Sequence, residues 1–191
     1  MRVIAGMYRG RPLKAPRGRN TRPTTDRVRE ALMSSLLSLR GSWDDARVLD
    51  AFAGSGALGI EALSRGASFA CLCDRDKQAL AMLKANTSFI ESDHFCINRV
   101  DVLSRLPRCR QGAYDIVFLD PPYALDPDDV CSLLETMIRD DYVDRQALCV
   151  YEHDNRFDLE TLPAFSRLEW ELVKHKAYGD TIVDIVKRKS V

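Results

Sequence analysis

The sequence lacks several features that would assign it to a particular class of protein. No apolar run approaches the roughly 20 residues of a membrane-spanning helix, and no apolar stretch follows the basic N-terminus as in a secretory signal. Gly10, Pro12, Pro16 and Gly18 would break the amphipathic helix of an organellar transit peptide. We therefore expect a cytoplasmic protein of bacterial type with no membrane partner, folded as one domain over residues 1–191.

The six cysteines form neither a CxxC pair nor a Cys/His spacing typical of zinc sites. Cys71 and Cys73 lie two apart in an apolar run and would share one face of a strand. Thiols scattered in apolar surroundings are typical of small buried side chains in a reducing compartment. We expect no metal, and we assign no catalytic role to His94, His153 or His175; for His153 a local hydrogen bond is expected.

A net charge of zero conceals a strong asymmetry along the chain. Residues 1–25 contain seven cations and no acid, which leaves 21 basic and 28 acidic residues in the remainder. A basic segment on an acidic body indicates a polyanionic partner, and a solvated tail is the alternative. The seven cations are Arg2, Arg9, Arg11, Lys14, Arg17, Arg19 and Arg22.

Residues 1–40 are predicted to form a basic N-terminal extension, a hairpin within 2–15 followed by a helix. Thr24, Thr25 and Asp26 supply capping hydroxyls and an early acid for the helix start. The apolar residues that follow at helical spacing predict a helix with one buried stripe. They are Val28, Leu32, Leu36 and Leu39.

From Arg47 onward, short β-rich runs alternate with helical patterns, which predicts an α/β fold with a mostly parallel sheet and helices on both faces. The final two strands lack an intervening helix and are predicted to pair as an antiparallel hairpin at one edge. Strands are predicted near 47–51, 69–74, 95–100, 114–119, 147–152, 168–175 and 181–187. Helices are predicted near 57–65, 76–90 and 128–140.

A glycine-rich turn in VLDAFAGSGALGIEAL (48–63) joins a strand to a helix, where doubly wound folds bind ligands. Gly54 and Gly56 would let a ligand approach the backbone, and GSGALG also matches the dinucleotide fingerprint. Asp50 separates the two interpretations. A carboxylate there would repel a pyrophosphate, whereas it would stabilise the sulfonium and ammonium of S-adenosylmethionine. A purely structural glycine cluster remains an alternative.

Acids end the next two predicted strands. Asp74, 20 residues after Gly54, could accept both ribose hydroxyls, although capping of the following helix is an alternative. Asp101 could accept the adenine amine while the Val102 amide donates to the ring, although a solvated loop acid is the simpler interpretation. The series of acids at successive strand ends supports a shared cofactor site.

The segment YDIVFLDPPY (114–123) carries the most chemical information. Two prolines end the predicted fourth strand and stiffen the chain after it. Two acceptors on the N–H bonds of an exocyclic base amine, the Asp120 carboxylate and the Pro121 carbonyl, would free the nitrogen lone pair. Tyr123 offers a face on which an extruded base can stack. The tetrad therefore predicts methylation of an exocyclic amine, and an ordinary Asp-Pro turn is the alternative.

Three stretches, VLDAFAGSGALGIEALSRGA, FLDPPY and RPTTDRVREAL, resemble the RsmD family of bacterial 16S rRNA guanine-N2 methyltransferases. The likeness runs from RVIAGMYRGRPL to YGDTIVDIVKR. It implies a seven-stranded Rossmann-like class I methyltransferase sheet. It also implies action on one guanine of the small ribosomal subunit, guanine 966 in standard bacterial numbering, by a monomer that takes S-adenosylmethionine to S-adenosylhomocysteine.

Carried over by position, the resemblance implies that Gly54, Gly56, Asp74 and Asp101 bind the cofactor. It places Thr24 and Arg27 near the methionine end of the cofactor, and it makes residues 2–22 an RNA clamp. Three alternatives remain open on the sequence. They are an amino-methyltransferase for another base, such as DNA adenine N6 or another rRNA site, an NAD-dependent oxidoreductase, and a non-catalytic RNA-binding module.

Overall fold

The computed structural model describes residues 1–15 and 26–189. Contacts divide the chain into two compact units, Met1–Pro107 and Arg108–Val191. The prediction of one domain over 1–191 stays a prediction. No helix within the described ranges is long and apolar enough to cross a membrane.

The first unit begins with helix α1 and then alternates strands with helices. Its parallel strands lie in the order β3-β2-β1, with Leu49 opposite Cys71 and Cys71 opposite Cys96. Five of the six residues of β2 are buried, which is why this strand is an almost continuous apolar run. The elements are α1 (Asp26–Arg40), β1 (Arg47–Asp50), α2 (Ala57–Ser64), β2 (Phe69–Asp74), α3 (Lys77–Asn86) and β3 (Phe95–Arg99).

The basic N-terminus folds back on itself over residues 1–13. The Val3 amide donates to the Arg11 carbonyl at 3.0 Å, and the Gly10 amide donates to the Val3 carbonyl at 2.9 Å. The predicted hairpin is thereby confirmed. Its turn lies directly on α2, because a Cβ at Gly6 would fall 1.7 Å from the Ser64 carbonyl oxygen.

Glu61 on α2 fixes this hairpin. The side chain is 1% exposed, and its oxygens accept from the amides of Ile4 at 2.8 Å and Ala5 at 3.0 Å. Arg65 donates to the same carboxylate at 2.9 Å. A solvated tail therefore does not describe residues 1–15, and residues 16–25 lie outside the described residues.

The second unit is built on a longer strand, β5. It pairs in parallel with β4 and antiparallel with β7, and β7 pairs antiparallel with β6 at the sheet edge. The elements are β4 (Tyr114–Leu119), α4 (Pro127–Arg139), β5 (Val143–Asp154), a short 3-10 turn (Leu159–Thr161), α5 (Pro163–Ser166), β6 (Trp170–Tyr178) and β7 (Thr181–Arg188).

Seven strands follow the order β3-β2-β1-β4-β5-β7-β6, so the predicted seven-stranded, mostly parallel sheet with an antiparallel edge hairpin is confirmed. The prediction of one buried stripe on α1 is wrong at Leu39, which is 44% exposed. Leu39 lies in the last turn, beyond the packed face. That face consists of Arg29, Leu32, Met33 and Leu36.

Candidate active site

The glycine turn in the first unit joins β1 to α2. The Ala53 amide donates to the Cys73 carbonyl at 2.8 Å, which ties the turn to the neighbouring strand. Gly54 and Gly56 have φ of +53° and +79°, a left-handed conformation that favours glycine. A Cβ on Gly54 would have no atom of the described residues within 4 Å, so the backbone there faces open space.

The other two glycines of the turn serve packing. A Cβ at Gly56 would lie 2.7 Å from Leu83, and one at Gly59 would lie 2.3 Å from Leu72. The third glycine of the GSGALG fingerprint is therefore required by the approach of α2 to β2. The predicted cofactor contacts of Gly54 and Gly56 stay predictions.

Asp50 ends β1 and is buried beneath the turn. Its side chain is 2% exposed, and Oδ2 accepts from the Gly59 amide at 3.0 Å. Burial raises the pKa of this carboxyl to about 7, the Gly59 hydrogen bond opposes the rise, and the negative charge of Asp74 adds to it. A cationic ligand beside Asp50 would favour the ionised form. The predicted contact with the donor stays a prediction.

Asp74 at the end of β2 holds the turn in place. Oδ2 accepts from the Gly54 amide at 2.9 Å, and Oδ1 accepts from the Asp76 amide at 2.9 Å. Capping of α3 belongs to Asp76, which accepts from the amides of Gln78 and Ala79, so the capping alternative for Asp74 is wrong. Each oxygen of Asp74 retains lone pairs for further donors, as the predicted ribose contact requires.

Asp101 follows β3 and is half-buried. Its carboxylate accepts from Arg75 Nη1 at 3.2 Å and from the Leu103 amide at 3.2 Å. Val102 beside it is 2% exposed. The two are anchored in a defined turn, and their predicted adenine contacts stay predictions.

These residues fit an adenosyl sulfonium better than a dinucleotide. No described atom lies within 4 Å of a Cβ built on Gly54, Asp50 and Asp74 end β1 and β2, and Asp101 lies two residues after β3. Carboxylates suit hydroxyl donors and cations, whereas they oppose a pyrophosphate. The donor set of the first unit therefore agrees with S-adenosylmethionine.

The DPPY tetrad in the second unit directly follows β4. Pro121 is buried, Asp120 is half-buried, and Tyr123 is 37% exposed. The Leu125 amide donates to the Pro122 carbonyl at 2.9 Å and closes a turn. The predicted stacking of an extruded base on Tyr123 stays a prediction.

Two contacts that the sequence did not predict fix Tyr123. Its hydroxyl hydrogen-bonds Thr181 Oγ1 at 2.9 Å, and its carbonyl accepts from Arg156 Nη2. Asp154 Oδ2 accepts from Arg156 Nε at 2.6 Å, and this pairing lowers the pKa of Asp154. Because Asp154 lies opposite Thr181 in the β5–β7 pair, both contacts originate from one point of the sheet.

His153 is held by more than the local hydrogen bond that we expected. Nδ1 bonds the Asp154 carbonyl at 2.7 Å, and Nε2 bonds Asp184 Oδ2 at 3.1 Å. His175 Nδ1 bonds the other Asp184 oxygen at 2.7 Å, and the Phe157 ring stacks on His153 at 4.3 Å. This network, buried at His153 and Asp184, joins β5, β6 and β7 beside Asp154.

The predicted RNA-binding cations divide between described and undescribed residues. Arg2, Arg9, Arg11 and Lys14 are exposed on the hairpin. The guanidinium of Arg11 lies over the Phe89 ring at 5.3 Å. Outside the described residues lie Arg17, Arg19, Arg22 and Thr24.

The two arginines of α1 differ sharply in environment. Arg27, the predicted cofactor residue, is exposed, whereas Arg29 is 1% exposed. Arg29 Nη2 donates to the Arg2 carbonyl at 2.6 Å and to Asp26 Oδ1 at 3.0 Å. The sequence pattern gave no signal for a buried cation here, because Arg29 falls on the apolar face of a helix.

The sequence prediction of buried thiols is confirmed for four of the six cysteines, whereas Cys96 and Cys109 are partly exposed. The sulfur atoms of Cys71 and Cys73 lie 3.7 Å apart on one face of β2. Burial raises the pKa of the Cys131 thiol to about 11, so this thiol stays protonated. Within the described residues, the side chains that could jointly hold a metal ion are those of Glu91, Asp93 and His94, on one surface loop.

With this geometry established, comparison with known proteins gives the family. The profile of the family called Conserved hypothetical protein 95 matches residues 1–187. The chain belongs to this family. Ribosomal RNA small subunit methyltransferase D of Escherichia coli (strain K12) is 34% identical over 191 residues, which cover 100% of this chain and 91% of that protein. The resemblance to the RsmD family is confirmed.

Two further relatives span almost the same length. YlbH of Bacillus subtilis (strain 168) is 38% identical over 99% of this chain and 100% of the relative. The solved structure of yhhF from Escherichia coli has a TM-score of 0.80 and 34% identity, and it covers 99% of this chain and 98% of that chain. Both relatives thus match this chain over nearly its whole length, and yhhF is similar to it in fold.

Proposed function

We propose that this protein transfers a methyl group from S-adenosylmethionine to the N2 amine of a guanine in 16S rRNA, the guanine at position 966 in standard bacterial numbering. The observation that carries the proposal is the DPPY tetrad after β4, with Tyr123 exposed and fixed from two sides. Support also comes from membership of a family in which the Escherichia coli relative is named a small subunit rRNA methyltransferase.

The second unit would hold and activate the amine. The Asp120 carboxylate and the Pro121 carbonyl accept from its N–H bonds, which draws the nitrogen toward a pyramidal geometry and frees the lone pair. Tyr123 stacks on the extruded base, a contact worth on the order of 1–3 kcal/mol. After transfer the amine is a cationic acid, so Asp120 or water takes its proton. Positioning and electrostatics supply most of the rate.

The first unit would hold the donor. When bound, S-adenosylmethionine supplies a methyl group on a positively charged sulfur. Asp74 accepts from the ribose hydroxyls, and Asp101 with Val102 binds adenine. The Gly54 backbone allows close approach, and Asp50 offers a negative charge to the cationic part of the donor. Gly56 holds the turn, and we keep Thr24 and Arg27 as candidate contacts to the methionine end.

The hairpin would supply affinity for RNA. Arg2, Arg9, Arg11 and Lys14 lie exposed on a hairpin that Glu61 fixes to α2. Cations held by a rigid support bind phosphates without reading sequence. We infer that residues 2–22 dock the enzyme, as a cytoplasmic monomer, on the small ribosomal subunit.

The test is transfer of tritiated methyl from S-adenosylmethionine to small ribosomal subunits that lack this modification. We expect label in N2-methylguanosine after digestion of the 16S rRNA to nucleosides. Label in another nucleoside methylated on an exocyclic amine would support the amine chemistry and contradict guanine N2 as the target. A thermal shift with NADH but none with S-adenosylhomocysteine would support the oxidoreductase alternative instead.

A further inference from the structure

Arg29 on α1 carries donors that the described residues do not use. A guanidinium has five N–H bonds, and the two hydrogen bonds from Nη2 to the Arg2 carbonyl and Asp26 account for two of them. Nε and Nη1 are buried and have no hydrogen-bond partner within residues 1–15 and 26–189. Buried charged groups are almost always paired, so three unmet N–H bonds indicate a missing acceptor.

The charges around Arg29 favour an anion as that acceptor. Asp26 faces two guanidinium groups, since Arg2 Nε lies 3.4 Å from Oδ2 and Arg29 Nη2 lies 3.0 Å from Oδ1. One negative charge thus stands against two positive charges. The N-terminus of α1, a helix of 15 residues, begins at Asp26 and adds the positive end of its dipole.

The hairpin connects this position to the glycine turn within the first unit. Arg2, whose carbonyl binds Arg29, follows Met1, and the Met1 sulfur lies 3.5 Å from Ser55 Oγ. On the other hairpin strand, Asn86 Nδ2 donates to the carbonyls of Lys14 and Ser55. The first residues of the hairpin therefore contact both Arg29 and the loop that would hold the donor.

We propose that Arg29 binds the α-carboxylate of the methionine part of S-adenosylmethionine, an inference that rests on the proposed function. Of the charged groups of this donor, the sulfonium and the ammonium are cations and the carboxylate is the anion that Arg29 complements. Asp50, buried beneath the same loop, complements the cations. Arg29, rather than the exposed Arg27, is thereby assigned to the methionine end.

The test compares two ligands by calorimetry on the full chain. S-adenosylhomocysteine carries the carboxylate, and its decarboxylated analogue keeps the amine and the adenosyl group without it. The wild-type chain is expected to prefer S-adenosylhomocysteine. Arg29→Gln is expected to weaken the affinity for S-adenosylhomocysteine by about tenfold or more, because a charge-assisted hydrogen bond is lost. The same variant is expected to change the affinity for the analogue by less than about twofold.

Three further variants make the result specific. Arg40→Gln removes a guanidinium from the other end of α1, where it donates to the Ser42 and Asp44 carbonyls, and is expected to leave both affinities unchanged. Arg29→Lys keeps the charge and loses the planar guanidinium, so it is expected to retain part of the preference for S-adenosylhomocysteine. It replaces Arg29→Gln in the comparison if Arg29→Gln does not fold. If Arg27→Gln abolishes the preference and Arg29→Gln does not, the assignment is overturned.

The binding data separate the role of Arg29 from the identity of the donor. If the wild-type chain binds both ligands equally, the proposed donor stands and the proposed role of Arg29 is overturned. Equal weakening of both ligands by Arg29→Gln assigns Arg29 to structural support and also overturns it. A wild-type chain that binds neither ligand overturns the proposed donor itself.

Discussion

Replacing Asp50 by Asn removes a titrating carboxyl from the base of the glycine turn. Burial raises the pKa of this group from 3.8 to about 7, so the folded state prefers the protonated form and the unfolded state ionises first. The sign follows from proton binding. Between pH 3.8 and 7 the folded protein holds a proton that the unfolded chain has lost, and stability therefore falls as pH rises.

The magnitude follows from the two pKa values. At about 1.4 kcal/mol per pH unit, the raised pKa lowers the free energy of unfolding by about 1.7 kcal/mol at pH 5 and by at most about 4 kcal/mol above pH 7. Asn cannot ionise, so the variant escapes this cost. We expect the stability of Asp50→Asn relative to wild type to rise by about 2–3 kcal/mol from pH 5 to pH 8.

Urea unfolding of both chains across this pH range measures the difference. Any constant cost of burying the Asn amide cancels in the slope, because it does not depend on pH. Ser132→Ala, at an exposed position on α4, removes no titrating group, so it is the control and is expected to show a flat difference. A flat difference for Asp50→Asn as well would refute the raised pKa, and a difference that falls with pH would reverse its sign.

The remaining predictions concern the second unit, the hairpin and the RNA. Thr181→Val removes the hydroxyl that binds Tyr123 and is expected to lower the methyl-transfer rate by about two- to tenfold, measured in single turnovers, because a hydrogen bond contributes about 0.5–1.5 kcal/mol. Glu61→Ala strips a buried acceptor from two hairpin amides and is expected to lower the free energy of unfolding by about 3–5 kcal/mol in urea. Neutralising Arg9 and Arg11 with Gln is expected to flatten the slope of log affinity for RNA against log salt by roughly 0.7–0.9 per lost phosphate contact.

Each of these three has a matched control and a contrary result. Thr161→Val, at an exposed hydroxyl of the same unit, is expected to leave transfer unchanged. Glu30→Ala removes the half-exposed partner of Arg65 and is expected to cost less than about 1 kcal/mol, so an equal loss at Glu30 and Glu61 would contradict the anchoring role. Lys176→Gln on β6 is the control for the RNA measurement and is expected to leave the salt slope unchanged. If the Arg9 and Arg11 variant also leaves the slope unchanged, the proposal that the hairpin binds RNA is contradicted.

Most of the fold could be predicted from local patterns in the sequence. Buried parallel strands such as β2 are apolar along their whole length, and the prolines of the DPPY tetrad end β4 where they were expected to. The glycine turn could also be predicted, because glycine favours the positive φ that Gly54 and Gly56 adopt. These features depend on neighbouring residues, which is why the sequence alone could predict them.

Contacts between residues that are distant in the sequence could not be predicted. Arg156 binds the Tyr123 carbonyl from 33 positions away, and Glu61 binds amides 56 and 57 positions earlier. Arg29 occupies an apolar helix face, where periodicity predicts a hydrophobic side chain. Such pairings depend on strand register and loop paths that the local pattern does not specify.

The most direct test of the central claim is single-turnover methyl transfer by Asp120→Ala, with S-adenosylhomocysteine affinity measured on the same preparation. If the DPPY carboxylate activates the amine, transfer to small subunits falls by at least about a hundredfold while donor affinity stays within about twofold. Near-normal transfer by this variant would contradict the proposed role of the tetrad.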